Sequence, residues 1–320
     1  MKILAAAAAV AVMGAMSPAL AQAPRTFVSA AHGSDTNPCS ATSPCRSIAQ
    51  ALTLTASGGD ITMLDPGGYG SFSVTKSVNI TNDGVGEVAI NAPPNQDAII
   101  IGAGATDVVT LRGLTIIGSG GASPGSHGIT FTSGGTFNIQ NCVVRGFANA
   151  GINLDPSGST NFTISDLVLA NDGTNGISII PTGTGTTTHV HLERVVSTGN
   201  VGQMNNGTGF AVNGSFSTGT INVMITDSTA HSNSTGFFIK SASMQATTNV
   251  TLVDVKAFNN NTGISVTGTG ATGFLRHSTI SGNPSDGYAV TGGGVLKSFG
   301  DNAVVDTTNL GSIAPPLSLQ

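Results

Sequence analysis

The sequence predicts an all-β solenoid, in which short strands stack coil upon coil into a rod. Three observations predict it. The first is a repeat of Gly, a large apolar residue, one spacer and a second apolar residue. It reads Gly128-Ile-Thr-Phe131, Gly151-Ile-Asn-Leu154, Gly176-Ile-Ser-Ile179, Gly209-Phe-Ala-Val212, Gly236-Phe-Phe-Ile239, Gly263-Ile-Ser-Val266 and Gly287-Tyr-Ala-Val290, at steps of 23, 25, 33, 27, 27 and 24 residues. A period in this range, built from alternating strands, marks a stacked repeat. The second is composition: 8% charged residues, 44 Gly, 2 Tyr and no Trp, with ample Val, Ile and Thr. Low charge and high Gly fit either disorder or an all-β repeat, and the strict alternation decides for the repeat. The third is a pattern between the Gly anchors. In Val250-Thr-Leu-Val-Asp-Val-Lys-Ala-Phe-Asn-Asn260, Val250 and Leu252 share a face, and Val255 and Ala257 join them only if the chain bends at Val253-Asp254.

The elements follow in chain order. Residues 1–21 read as an export signal: Lys2 supplies the positive start, Ile3 to Met16 an apolar stretch too short to span a bilayer, and Ala19-Leu20-Ala21 the small residues of a cleavage site. No later segment is long and apolar enough for a membrane helix, so an exported, soluble chain is expected. Residues 22–57 read as an N-terminal cap. In it Cys39 and Cys45 bracket a short Pro/Ser loop, which in an exported chain reads as a disulfide. Ser47 to Leu54 has helical apolar spacing, as an amphipathic helix plugging the first coil would. Residues 58–300 read as the coils. The frame of the third observation fits Phe137/Ile139/Cys142/Val144, Phe162/Ile164/Leu167/Leu169, Val190/Leu192/Val195/Ser197 and Val223/Ile225/Ser228/Ala230, and more loosely Leu275/Ser278/Ile280. Cys142 is thus expected as a buried apolar residue. Each coil holds three short strands: one Gly-anchored, two flanking the bend. Stacked, about ten coils form three parallel sheets around one core, and parallel strands so joined wind right-handed. The expected fold is a single-stranded right-handed parallel β-helix. Residues 301–320 lose the repeat and suit a covering tail.

This pattern resembles the pectin-lyase-like, right-handed parallel β-helix superfamily. The run Phe27-Val-Ser-Ala, Gly33-Ser-Asp, Asn37-Pro-Cys39, Pro44-Cys45-Arg-Ser-Ile-Ala-Gln-Ala51 looks like the cap of its exported bacterial members. Gly59-Asp-Ile-Thr-Met-Leu-Asp-Pro-Gly-Gly-Tyr69 looks like their entry into the first coil. The resemblance covers nearly the whole mature chain and is specific for fold. It implies no single activity, because the superfamily includes lyases, hydrolases, epimerases, phage tailspikes and adhesins. Trimeric tailspike members leave a homotrimer open.

Candidate chemistry is sparse. Net charge is −5, or −6 without Lys2, which gives no footprint for nucleic acid or an anionic membrane. Gly113, Asn141, Asp166, Arg194, Asp227, Asp254 and His277 form a row at the bends. A tight bend calls for positive φ, which Gly, Asn and Asp tolerate best, so turn chemistry accounts for this row better than catalysis does. In the polysaccharide-cleaving members of the superfamily, the groove runs along the Gly-anchored sheet. There the resemblance asks for several Asp in adjacent coils (a hydrolase), or carboxylates for Ca²⁺ with Arg or Lys as base (a lyase). This face offers one acid, Asp155, and one base, Lys240, three coils or roughly 14 Å apart. Ser126-His127-Gly128 faintly resembles the Gly-His-Gly of galacturonan hydrolases without its Asp partners, and His127 reads as a loop residue. Phe238 with Lys240 and Asn213 reads as a ligand-binding group: a ring to stack on a sugar face, ammonium and amide to bond hydroxyls or a uronate. His189, His191 and Glu193 share one face of a strand and are the candidate metal ligands, for Zn²⁺ or a similar ion. The expected function is contact with an extracellular polysaccharide or cell-surface glycan, without a recognisable catalytic set and with no cofactor. The alternative is a diverged polysaccharide lyase or glycoside hydrolase, with Ca²⁺ only in the lyase case; a surface stalk needs only the rod.

Overall fold

The computed structural model describes residues 22–118, 123–202, 206–306 and 308–314. The expected export signal at residues 1–21, and Pro315-Pro316, lie outside the described residues. No helix of the described residues is long and apolar enough to cross a membrane.

The chain winds into stacked coils whose strands pair in parallel with their equivalents one coil away. The Gly-anchored strands form one sheet of nine, running from Phe72–Val74 to Asp286–Thr291. The remaining strands form an 18-stranded ladder that the bend folds lengthwise into two faces. The bend is visible inside the long strands. Gln140 pairs with Ser165 and Cys142 with Leu167, while Asn141 and Asp166 between them leave the ladder. About ten coils were expected and the Gly-anchored sheet has nine strands. Val78 pairs directly with Val109, so the irregular region before Gly118 makes fewer and longer coils. At the strand spacing of ~4.8 Å the nine strands span roughly 40 Å.

The bends follow backbone chemistry. Gly113, Asn141, Asp166, Arg194, Asp227, Asp254 and His277 all have φ between 48° and 71°. Arg194 is a poor residue for this conformation, and both it and His277 are tied down from outside. Arg194 donates to the Asp166 carboxylate at 2.7 and 3.1 Å, and His277 Nε2 lies 3.1 Å from Asp301. Asp254 is exposed, and positive φ disfavours a β-branched residue. Asp254→Val should therefore cost about 1–2 kcal/mol, and Asp254→Gly nothing measurable. Urea melts of the two variants check this, and equal midpoints would sink it.

The core is one continuous apolar column. Phe137, Ile139, Cys142, Val144, Val250, Leu252, Val255 and Ala257 are all buried, as the frame requires. Aromatic rings stack along it, Phe210 on Phe237 at 4.8 Å and Phe162 edge-on to Phe131 at 4.9 Å. Burial pushes the Cys142 thiol up to about 11, consistent with a packing role.

Beside this column runs a buried polar ladder absent from the sequence reading. Asn200 Nδ2 donates to Asn233 Oδ1 (3.0 Å), Asn233 to Asn260 (3.1 Å), Asn260 to Asn283 (3.2 Å), and Asn283 to Asp306 (2.7 Å). The backbone N–H of each donates to the same neighbour. The ladder explains the Gly repeat. A Cβ at Gly236 would lie 2.5 Å from the Gly263 carbonyl and 3.0 Å from Asn260 Nδ2, and Gly263 is confined in the same way. Glycine is needed there for close approach of backbone to backbone and ladder.

Both ends are covered. Cys39 and Cys45 form a disulfide, Cα–Cα 4.6 Å. The helix Ile48–Leu54 starts at Ser47, whose hydroxyl accepts from the Gln50 N–H, and buries Ile48, Ala51 and Leu52. The strand Ala23–Val28 pairs with Thr55–Met63, so the cap region also contributes a strand to the ladder. Asp65 clasps the cap by accepting from Ala30 N–H (2.6 Å) and the Tyr69 hydroxyl (2.9 Å). At the other end Leu310 and Ala314 bridge onto Ala289 and Lys297.

Candidate functional site

Two columns of side chains face outward from the Gly-anchored sheet. One runs Asn153, Ser178, Ala211, Phe238, Ser265 and Ala289. The other starts at Asp155, beyond Leu154, passes Ile180, and continues through Asn213, Lys240, Thr267 and Thr291. The columns place Asn213 directly beside Lys240, with Phe238 and Lys240 at alternate positions of one strand. The structure thus brings the three expected binding residues together.

Asn213 and Phe238 line a concavity of about 360 Å³. Its walls carry Asn175, Asn206, Thr235 and Asn261, and no lining residue is charged. Asn206 comes from the end of the long connection after Thr198. Ser178 and Ala211, at outward positions of the sheet, form its floor: they are 2% and 6% accessible, because small side chains sit below the larger ones flanking them. Asn213 Oδ1 accepts from the Ser215 N–H (3.1 Å), which orients the amide. Lys240 is exposed at the rim.

Asp155 and Lys240 remain three strands apart in their column and make no proton-transfer couple. Asp155 is half-buried, and its Oδ1 has no hydrogen-bond partner. Burial raises its carboxyl above the ordinary value, an effect partly offset by the Thr182 hydroxyl.

His127 lies in the loop before the strand Ile129–Ser133, as expected, and an acid unforeseen in the sequence meets it there. Asp97, in the preceding coil, accepts from the His127 backbone N–H and lies 3.0 Å from His127 Nδ1, while Thr130 donates to its other oxygen at 2.6 Å. Burial opposes the Asp97 anion, but the His127 and Thr130 hydrogen bonds hold its carboxyl below the usual range. The acid comes from 30 residues upstream, so no local motif signals it.

His189, His191 and Glu193 share the outer face of the strand Thr186–Thr198, but Glu193 is taken up by Arg194 at the bend. Among the described residues no group of three or more His, Cys, Asp and Glu is placed to hold a metal ion.

Coils, bends and ladder define a parallel β-solenoid with an uncharged, amide-rich concavity on one sheet. The right-handed β-helix region family matches residues 127–304, and the chain belongs to that family. No curated protein sequence matches it. Among solved structures it is similar to pectate lyase Pel9A (15% identity, TM-score 0.56, 92% of this chain and 80% of that one). It is also similar to XylC, solved with xylose (10% identity, TM-score 0.56, 88% and 69%). At these identities the likeness is one of fold, right-handed and parallel.

Proposed function

We propose that the protein is exported and binds extended extracellular polysaccharide along the Gly-anchored sheet, with Phe238 and Asn213 at the centre of the site and Lys240 at its rim. The observation that carries this reading is the concavity. It pairs a half-exposed aromatic ring with four side-chain amides and has no charged lining residue. Sugars present CH faces that stack on rings and hydroxyls that bond amides. Lys240 at the rim favours a chain with uronate units. The disulfide and the polysaccharide-related fold neighbours support an extracellular setting.

Affinity electrophoresis and calorimetry against a panel of neutral and uronate-containing polysaccharides test it. Phe238→Ala should weaken binding about tenfold, the worth of one ring stack. Lys240→Ala should weaken only the uronate-containing ligands. Unchanged affinity in Phe238→Ala would remove the site.

A second reading rests on Asp155, whose burial keeps it nearer the protonated state that a general acid needs. Release of reducing ends or unsaturated products, lost in Asp155→Asn, would turn the binding site into a catalytic one.

A further inference from the structure

A second concavity, of about 380 Å³, opens on a different face of the rod. It lies over the outer side of the strands Thr160–Ala170, Thr186–Thr198, Gly219–Thr226 and Thr247–Val253. Two columns of side chains cross it. One holds Asn161, His189, Asn222 and Asn249; the other holds Thr163, His191, Met224 and Thr251.

We propose that His189, His191 and Met224 form a surface site for a copper ion. The two histidines occupy alternate positions of one strand, about 6.6 Å apart along it, so both imidazoles leave the same face. Met224 pairs with His191 in the next coil, at the strand spacing of ~4.8 Å. All three side chains line the one concavity, which has no charged lining residue to repel a cation. Met224 is 45% exposed between His191 and Thr251 in its column, and the apolar core gains nothing from it. The donor set selects the metal. Imidazole binds zinc and both copper states, whereas a thioether is a soft ligand suited to Cu(I). Zinc would call for a carboxylate or thiolate as third ligand, and the carboxylate next along the same strand face, Glu193, is held by Arg194.

Competition of the full chain with a chromogenic Cu(I) chelator, in ascorbate so that the disulfide stays closed, tests the site. One Cu(I) per chain is expected. The double variant His189→Ala/His191→Ala should lose it. Met224→Leu should weaken Cu(I) by about tenfold or more while preserving the nitrogen-coupled resonance of bound Cu(II). All three residues lie on the outer face, so melting curves matching the unsubstituted chain would show that the losses are local. Failure to draw copper from the chelator, retention of copper by the double variant, equal Cu(I) affinity in Met224→Leu, or preference for Zn²⁺ over Cu(I) would each overturn the proposal.

Discussion

Ile264→Asp should abolish the folded state of the C-terminal half of the rod. Ile264 has no accessible surface and lies between Phe237 and Tyr288 in neighbouring coils. The substitution forgoes about 2–3 kcal/mol of apolar burial and adds several kcal/mol for placing a carboxyl in the core. Domains of this kind hold about 5–15 kcal/mol in total. A solenoid cannot easily confine the damage, because each coil is stabilised mainly by its two neighbours. The control is Ser265→Asp, one residue along the same strand and facing outward, which should change stability by no more than about 0.5 kcal/mol. Circular dichroism and limited proteolysis separate the two. Unchanged melting of Ile264→Asp would mean that the assignment of inside and outside is wrong throughout.

That assignment was readable because alternation and bend each have one dominant physical cause. Apolar residues at alternate positions must share a face, and a bend with positive φ selects Gly, Asn and Asp, as Asn141, Asp166, Asp227 and Asp254 show. The adjacency of Asn213, Phe238 and Lys240 followed from the same frame. What stayed hidden depends on how one coil aligns with the next. Asp97 meets His127 only after a full turn, and the depth of Ser178 and Ala211 depends on the size of their neighbours. Glu193 shares the face of His191 by strand geometry but is captured by an arginine at the bend. The Asn ladder had a signal that hydropathy conceals. Asn233-Ser-Thr-Gly236 and Asn260-Asn-Thr-Gly263 place a buried amide three residues before each close-packed glycine.

The ladder has a polarity, and one end of it is chemically mismatched. Every rung accepts at Oδ1 from the coil before it, and from Asn200 to Asn283 each donates through Nδ2 to the coil after it. The last rung needs only acceptors, and Asp306 supplies them. The first rung needs a donor, and it is also an aspartate. Asp172 Oδ1 accepts from the Phe147 N–H (3.1 Å), while its Oδ2 is buried with no partner. That Oδ2 stands against Gly151 as Nδ2 of Asn200 stands against Gly176. Desolvation pushes the Asp172 carboxyl up to about 8, and the backbone hydrogen bonds only partly offset it. Below the unfolded value of 3.8 both states hold the proton and no penalty is felt. Between there and about 8, unfolding releases a proton, so stability falls by up to about 1.4 kcal/mol per pH unit. Above about 8 the folded chain carries a buried anion and the loss is complete. Local opening at this end of the ladder limits the total to on the order of 2–4 kcal/mol. Asp172→Asn keeps the acceptor and supplies the missing donor toward Asn200. It should match the unsubstituted chain at pH 4 and gain steadily to pH 8.5, where its melting temperature should stand about 5 °C higher. A difference between the two proteins that does not change with pH would show that Asp172 stays ionised in the fold, and the donor role assigned to the first rung would fall with it.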